Sequence, residues 1–295
     1  MEIAAFHPQT VASWYLPMKE VRIVPLGDIQ YGASGCDVER LKRHIAWGVQ
    51  QQCYFIGMGD YMDVASPSNR RKWAEANLYD SVQDAMNQKI EDDLKKLQRI
   101  LEPTKGRWLG LVTGHHVWDF QDGTTTDTRL AQFLGTRYMG DGAAVSILQF
   151  ARDRPARDGP HRYLASAKIW YHHGRGSARN AGSALLTLQY AARSFYADVY
   201  LMGHRHVKEI TKLPFIDYDV TAKGTIRPFC RNRVLATTGG FLQGYEVGRK
   251  DPMGRPSAGY VEKAMLPPVA LGGTVIYIRP RILRGQVSLD IDASL

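Results

Sequence analysis

The sequence predicts an α/β fold with a largely buried sheet. Short apolar runs rich in β-branched and aromatic residues alternate with helical patterns along the first two-thirds of the chain, and most of these runs end at a glycine. Strands that alternate with helices are typical of α/β domains, in which helices cover the sheet. From about residue 205 onward the helical signals become fewer, which favours more antiparallel strand in that part of the chain.

Seven apolar runs are predicted to be buried strands, because each is short and bounded by turn residues. The first four are VRIVPLG from residue 21, CYFIGMG from 53, RWLGLVTG from 107 and AKIWYHHG from 167. The other three are DVYLMG from 198, RVLATTGG from 233 and GGTVIYIRP from 272.

Three segments between these runs have the periodicity of amphipathic helices. Residues 37–52 carry an apolar residue every three or four positions, and Asp37 is the predicted N-cap. Residues 80–101 repeat this pattern and are followed by Pro103, which fits a helix end. Residues 183–196 are predicted to form the third helix.

Composition narrows the classes of function. The net charge of +9, from 38 basic and 29 acidic residues, favours phosphorylated or polyanionic partners, nucleic acid among them. The three cysteines are widely spaced and form no Cys-x-x-Cys pair, which argues against a thiolate zinc site or a disulfide framework. The sequence has no apolar run near the roughly 20 residues of a membrane helix. It also has no signal-peptide pattern, so we expect a cytoplasmic protein without membrane contact.

Polar side chains follow five of the predicted strands, at the point where each strand ends. Ligands of α/β sheets bind at the carboxyl ends of the strands, so these side chains are expected to meet at one edge. In chain order they are Asp28 and Gln30, Asp60 and Asp63, His115 and His116, His172 and His173, and His204 and His206.

These side chains together indicate a metal site. Each motif alone would fit an ordinary turn or a structural histidine, but six of the nine histidines in the chain fall at these strand ends. Carboxylate, imidazole and amide ligands without thiolate suit Mn²⁺, Fe, Zn²⁺ or Ni²⁺. A carboxylate can bridge two such cations, and two cations can clamp both oxygens of an in-line displacement at phosphorus.

The five blocks, in this order, resemble those of the calcineurin-like metallophosphoesterase superfamily, and the resemblance spans residues 21–206. They also resemble phosphoesterases of phage and prophage genomes. The resemblance implies a four-layer αββα sandwich with two facing mixed sheets and a dinuclear centre between their loops. We expect a single domain over residues 1–295, with residues 1–20 as an N-terminal extension and residues 207–295 as C-terminal strands that complete the second sheet.

The resemblance also implies a role for each matching residue. Asp28 and His206 would bind the first metal ion, and Asp60 would bridge the two ions. His173 and His204 would bind the second ion. The expected cofactor is a pair of divalent cations, with Mn²⁺ favoured and Fe, Zn²⁺ or Ni²⁺ as alternatives.

Two positions depart from the family pattern. Gln30 stands where the family usually has histidine, and His115 stands where it usually has asparagine; both are expected to be ligands. His116 occupies the position of the family's general acid or substrate-orienting histidine, and Asp63 is expected to support its loop. In an extended strand His172 should point away from His173.

The expected activity is metal-dependent hydrolysis of phosphoester bonds by a metal-bound hydroxide, without a phosphorylated enzyme intermediate. Asn69, Arg70 and Arg175 lie in basic loops beside the metal blocks and are predicted to contact substrate. A phosphodiesterase, which includes a nuclease, is favoured by the net charge. A phosphomonoesterase acting on a nucleotide or phosphoprotein, and a non-catalytic binding module on the same scaffold, are the alternatives. The sequence does not indicate the oligomeric state.

Overall fold

In the computed structural model, two mixed β-sheets face each other and helices cover their outer faces, which confirms the predicted four-layer αββα architecture. The structure describes residues 10–63, 80–151, 164–176, 182–220, 224–283 and 286–295. Among these residues no helix is both long enough and apolar enough to cross a membrane.

The strands follow one another along the chain with helices between most of the early ones. The first seven are β1 (Val11–Pro17), β2 (Val21–Leu26), β3 (Tyr54–Gly57), β4 (Trp108–Leu111), β5 (Ala144–Ala151), β6 (Ala165–His172) and β7 (Val199–Met202). The later ones are β8 (Ile210–Val220), β9 (Ile226–Thr237), β10 (Gly239–Gly240), β11 (Gly272–Gly273), β12 (Val275–Leu283) and β13 (Gln286–Ser294).

Both large sheets mix parallel and antiparallel pairs. Sheet A has the order β1-β5-β6-β7-β9-β8, with parallel pairing of β6, β7 and β9 at its centre. Sheet B has the order β13-β12-β2-β3-β4, with parallel pairing of β2, β3 and β4. Strands β10 and β11 form a separate two-stranded pair. The parallel segments of both sheets therefore carry the loops that sequence analysis associates with metal binding.

The three predicted helices are present, and the described residues contain two others. They are α1 (Val38–Gln50), α2 (Asp80–Leu101), α3 (Thr126–Leu134), α4 (Ser183–Ser194) and α5 (Tyr260–Lys263). Asp37 caps α1 as predicted, since its side chain accepts a hydrogen bond from the backbone N–H of Arg40. Helix α3 was not predicted; Thr125 and Thr128 form a capping box at its start, and Gly135 ends it in the left-handed conformation.

The main core lies between the two sheets. There Ile23, Ile56 and Leu109 of sheet B pack against the layer that contains Leu148 and Ile169 of sheet A, and all five side chains are buried. A second core lies between sheet B and helices α1, α2 and α3. A third, smaller core lies between sheet A and helix α4. Because the parallel strands are covered by apolar residues on both faces, their sequences are nearly continuous apolar runs.

The two ends of the chain both contribute strands to the large sheets. Strand β1 lies within residues 1–20, and it pairs in parallel with β5 as the edge strand of sheet A. The strands within residues 207–295 do not complete a single sheet. Strands β8 and β9 extend sheet A, whereas β12 and β13 extend sheet B, because β12 pairs antiparallel with β2.

Candidate metal centre

Five loops meet at one edge of the sandwich, and each follows the carboxyl end of a parallel strand. Strands β2, β3 and β4 of sheet B and strands β6 and β7 of sheet A supply these loops. Both sheets therefore contribute to the cluster, as the strand-end pattern predicted. The predicted side chains in these loops are Asp28, Gln30, Asp60, His115, His116, His173, His204 and His206, and contacts between them connect all five loops.

Four of these side chains form one group that can hold a metal ion. One potential ligand atom from each of Asp60, His115, His173 and His204 lies within 4.8 Å of the other three. The imidazole rings of His115 and His204 are 4.7 Å apart between centroids and meet edge to face. One carboxylate and three imidazoles match the donor set that Zn²⁺, Mn²⁺ and Fe prefer. This group coincides with the residues expected around the second metal ion.

Asp28 and His206 lie together at a neighbouring position. His206 Nε2 is 3.6 Å from Asp28 Oδ1, and the backbone N–H of His204 donates to Asp28 Oδ2 at 2.7 Å. Asp28 is completely buried. A Cβ at Gly240 would lie 2.9 Å from His206 Nδ1 and 3.0 Å from Asp28 Cβ, so the backbone approaches this pair too closely for a side chain. Asp28 and His206 therefore lie side by side next to the group of four.

Asp60 lies at the middle of the cluster. The backbone N–H groups of His115 and His116 both donate to its Oδ1, at 2.6 and 2.8 Å. Its Oδ2 accepts from Gln30 Nε2 at 3.2 Å and lies 3.3 Å from His173 Nε2. A Cβ at Gly114 would collide with Asp60 Oδ1, so a glycine is needed there. This central position is compatible with a bridging carboxylate.

The backbone of the site is strained. Among the described residues, seven that are not glycine have positive φ, and five of the seven belong to the cluster. They are Asp28, Gln30, Asp60, His204 and His206, with φ between 48° and 67°. A left-handed conformation costs a residue with a side chain roughly 1 kcal/mol or more, and such strain concentrates at functional sites. The fold holds these five side chains inward at an energetic cost to stability.

Hydrogen bonding fixes the orientation of His173. Its Nδ1 lies 2.7 Å from the carbonyl oxygen of Met58, which can only accept, so Nδ1 carries the proton and Nε2 faces the cluster. Within the described part of the chain, Asp28 Oδ1 and Gln30 Oε1 are buried without a hydrogen-bond partner. Buried polar atoms are rarely left in this state, and bound cations would supply the partner that these two oxygen atoms lack.

The protonation states reflect burial and mutual charge. Burial raises the pKa of Asp28 despite the nearby His206 and His173. Burial acts to raise the pKa of Asp60 as well, but the imidazoles of His173 and His116 hold it below its ordinary value. Burial alone would lower the pKa of His173, yet the hydrogen bond to Asp60 and the charges of Asp60 and Asp28 raise it to about 9. Burial, with His173 and His115 close by, lowers the pKa of His204 to about 4.

His116 has a carboxylate partner that sequence analysis did not assign to it. Its Nδ1 lies 3.0 Å from Asp63 Oδ1, and its Nε2 lies 3.7 Å from Asp60 Oδ2. Asp63 also supports its own loop, as expected, because its backbone N–H donates to the carbonyl of Tyr31 at 2.8 Å. The Asp63 contact leaves the Nε2 side of the His116 ring directed toward Asp60 and the cluster.

Asp127 is a second residue that sequence analysis missed. It lies in the first turn of α3, it is buried, and it accepts hydrogen bonds from the hydroxyls of Thr113 and Thr126 and from the backbone N–H of Gly114. Burial raises its pKa to about 6. It thereby anchors the loop that carries His115. The local sequence signals a helix cap, but nothing in it signals contact with a loop twelve or more residues earlier.

The predicted substrate contacts are only partly within the described residues. Arg175 is exposed on the loop that follows His173 and Gly174. Asn69 and Arg70 lie outside the described residues. His172 points away from His173, as predicted, since it stacks on Trp170 with ring centroids 6.1 Å apart.

Comparisons with known proteins find structural similarity only. No protein-family profile matches the chain, and no curated protein matches it in sequence. Vacuolar protein sorting 29 from Cryptosporidium parvum is 12% identical, with 94% of this chain and 98% of that chain covered and a TM-score of 0.34. Vps29 from Chaetomium thermophilum is 11% identical, covering 68% and 86%, with a TM-score of 0.23.

A third similar structure is wild-type Vps29 complexed with Zn²⁺ from Entamoeba histolytica. It is 8% identical, with 62% of this chain and 81% of that chain covered and a TM-score of 0.22. TM-scores this low support no conclusion about the function of this chain. The fold described above rests on the strand order and packing of the chain itself.

Proposed function

We propose that the protein is a metal-dependent phosphoester hydrolase that uses two divalent cations. The observation that carries the proposal is the convergence of eight polar side chains from five loops and both sheets, five of them held in left-handed backbone conformations. A purely structural role would not require this strain, whereas a preorganised metal site does.

The chain supplies two adjoining sets of ligands. Asp60, His115, His173 and His204 would hold one cation, and Asp28, with His206, would hold the other. Asp60 lies between the sets and would serve both. Bound at these positions, divalent cations would supply positive charge to phosphoryl oxygens and lower the pKa of a coordinated water.

The remaining residues position the site and handle protons. The two backbone N–H groups on Asp60 Oδ1 keep this carboxylate fixed without a side-chain rearrangement. His116 is only 14% exposed at its side chain, and with Asp63 behind its ring it can hold a proton at Nε2 and give it to a leaving oxygen. Arg175 is exposed and directly follows Gly174, and it would supply a positive charge for a phosphate group.

The preferred substrate within this proposal is a phosphodiester, and a nuclease is one form of it. The net charge of +9 favours a substrate that carries several phosphates. A phosphomonoesterase with the same ligand set is the alternative activity, since the metal ligands do not distinguish the two esters.

A non-catalytic binding module on the same scaffold is the second candidate function. The observation that favours it is the contact between Gln30 Nε2 and Asp60 Oδ2 at 3.2 Å. In this orientation the amide of Gln30 donates to Asp60 Oδ2, the oxygen that a bridging carboxylate would offer to a metal ion. The amide also adds no charge to the site. A weak first metal position would leave the scaffold able to bind a partner without turnover.

Hydrolysis of bis(p-nitrophenyl) phosphate and p-nitrophenyl phosphate with Mn²⁺, Ni²⁺ or Zn²⁺ tests the proposal. We expect metal-dependent turnover that prefers the diester and that Asp60→Asn reduces roughly 100-fold or more. Asp84→Asn, an exposed aspartate on α2, is the matched control and should leave the rate unchanged.

Metal content measured on the same samples distinguishes the two candidate functions. Bound metal that Asp60→Asn removes, together with turnover, supports the hydrolase. A folded protein that shows no turnover with any of the three metals would refute the hydrolase proposal for these esters and favour the binding module.

A further inference from the structure

The hairpin of β8 and β9 extends well beyond the rest of sheet A. The two strands pair with each other from Ile210 and Ala236 to Val220 and Ile226, whereas β9 pairs with β7 only over Val234–Thr237. We call residues 213–220 and 226–233 the arm. Within the described part of the chain, the strands of the arm are hydrogen-bonded in the sheet only to each other.

One face of the arm is apolar and exposed. In an antiparallel pair, alternate residues and their direct partners share a face. Ile216, Tyr218, Val220 and Ile226 share one face and are 64–66% exposed. Pro214, Pro228 and Cys230 complete this apolar face, and they are exposed too.

The apolar face carries no charged side chain, whereas the opposite face does. Asn232 is the polar residue among the eight positions of the apolar face. On the opposite face Arg231 forms an ion pair with Asp217 at 3.3 Å, and the guanidinium of Arg233 lies 4.3 Å from the ring centre of Phe215. The arm is therefore amphipathic, with the pattern of a strand pair that has one face covered.

Such a face is unusual for a free surface. A two-stranded ribbon is marginally stable on its own, and contiguous exposed apolar patches mark interaction sites. The face continues the inner surface of sheet A, since Val234 on the same face is buried in the core between the sheets. The arm thus prolongs a core-forming surface past the point where sheet B covers it.

We propose that the apolar face of the arm packs against the same face of a second copy of this chain. An uncharged apolar face is self-complementary, so a two-fold contact buries no unpaired charge. A partner recognised by its charge finds no counter-charge on this face. Pro214 in the edge strand β8 disfavours pairing through strand edges, so the two arms meet face to face.

The size of the face fits a weak dimer. If each of the seven apolar side chains buries on the order of 70 Å², two copies together bury roughly 1,000 Å², which is near the lower bound of specific interfaces. We therefore expect a dimer whose formation depends on protein concentration.

The proposed interface is independent of the proposed enzymatic function. The metal-centre loops follow the carboxyl ends of β6 and β7. Strand β9 runs parallel to β7, and the arm contains the amino-terminal part of β9. The arm therefore projects from the opposite end of sheet A. Loss of the dimer should leave metal content and turnover unchanged.

Light scattering coupled to size-exclusion chromatography tests the proposal over a range of protein concentrations. We expect the wild-type chain to pass from monomer to dimer, and Ile216→Asp and Val220→Asp to remain monomeric at every concentration. Leu186→Asp is the matched control, because Leu186 is a 48% exposed apolar residue on α4, away from the face. Circular dichroism of each variant shows whether the fold is retained.

The thiol of Cys230 provides a second measurement, which can be made on the wild-type chain. Cys230 is exposed, whereas Cys36 is half-buried and Cys53 is buried. Contact between two apolar faces should slow alkylation of Cys230 as the protein concentration rises, and Ile216→Asp should abolish that protection. A wild-type chain that stays monomeric up to several hundred micromolar, with concentration-independent alkylation, would overturn the proposal. So would a dimer that both face variants retain.

Discussion

Gln30 is the residue that we expect to limit how strongly a first metal ion is bound. Its amide nitrogen is bonded to Asp60, while its Oε1 is buried without a hydrogen-bond partner in the described part of the chain. The backbone at this residue is left-handed, with φ of 55°, so the side chain is already held toward the cluster. An imidazole in the same place would add a strong ligand without requiring a backbone change.

The substitution Gln30→His should therefore tighten metal binding, roughly tenfold or more at the first position. Isothermal titration of the metal-free protein with Mn²⁺ measures the effect. Gln132→His, at an exposed position of α3, is the control for an added histidine elsewhere. Unchanged affinity in Gln30→His would mean that residue 30 does not reach the metal position.

The carboxylate of Asp63 contacts the ring nitrogen of His116 that is farther from Asp60, so we expect Asp63 to orient His116 rather than to bind metal. We expect Asp63→Asn to lower kcat roughly 10- to 100-fold for esters with poor leaving groups, and much less for nitrophenyl esters, which need little protonation. Metal content should not change. A plot of rate against leaving-group pKa for wild type, Asp63→Asn and His116→Asn makes the comparison.

The two substitutions should not be additive, since both act through one imidazole. Asp119→Asn, another exposed aspartate near this loop, is the control. Loss of bound metal in Asp63→Asn would contradict the orienting role and make Asp63 a ligand.

Helix α3 acts on the site through its first turn. Asp127 accepts from Thr113 and from the backbone of Gly114, and the next two residues donate their N–H groups to Asp60. An asparagine at 127 keeps one acceptor oxygen, but its NH₂ group would face groups that are themselves donors. Buried hydrogen bonds would therefore be lost. The first turn of α3 and the carboxylate of Asp60 are thus linked by one loop.

We expect Asp127→Asn to destabilise the protein by about 1–2 kcal/mol and to weaken metal binding measurably. Ala131→Gly is the comparison, because it lowers the stability of α3 by about 1 kcal/mol without touching the loop. Denaturant unfolding and metal titration of both variants separate the effects. Equal metal affinity in the two variants would show that Asp127 serves the helix alone.

Elements with strong local signals were predictable, and those defined by distant partners were not. The runs at β2, β3, β4 and β7 are short, apolar and bounded by glycine or polar residues, so the sequence identifies them by itself. Strand β5 alternates buried and half-buried positions, but its residue types do not follow this alternation, and the sheet partner of β1 is β5, which is distant in sequence. Helix α3 has nine residues and a polar first turn, which gives a weak periodic signal.

The same distinction holds within the site. Residue type and order at the strand ends indicated the ligands, because parallel strands bring their carboxyl ends together. The contacts of Gln30 with Asp60 and of Asp63 with His116 depend on the exact approach of loops 30 and more residues apart. Aspartate and histidine adopt the left-handed backbone more readily than most residues with a side chain, but it is uncommon even for them, so residue type alone does not predict it at Asp28 and the other four positions.

On the scale of the whole molecule, the site makes folding stability depend on pH in the metal-free protein. The pKa of His173 is raised from 6.5 to about 9, so the folded state binds a proton more tightly than the unfolded chain does. The resulting stabilisation is fully present below pH 6.5 and is lost as the pH rises through about 9. Asp28, whose pKa burial raises, contributes a loss in the same direction.

Metal binding should reverse this dependence, because a cation needs the unprotonated Nε2 of His173 and displaces its proton. In EDTA we expect the free energy of unfolding to fall by on the order of 2 kcal/mol between pH 6.5 and 9. With saturating Mn²⁺ the stabilisation relative to EDTA should increase over the same window. His173→Gln should show neither the fall nor the metal-dependent gain, whereas Gln132→His should behave as wild type. Thermal unfolding of the wild type, His173→Gln and Gln132→His at several pH values, in EDTA and with Mn²⁺, measures these differences. A stability in EDTA that rises with pH across this window would show that His173 is not protonated in the folded protein, and metal binding would then release no proton from it.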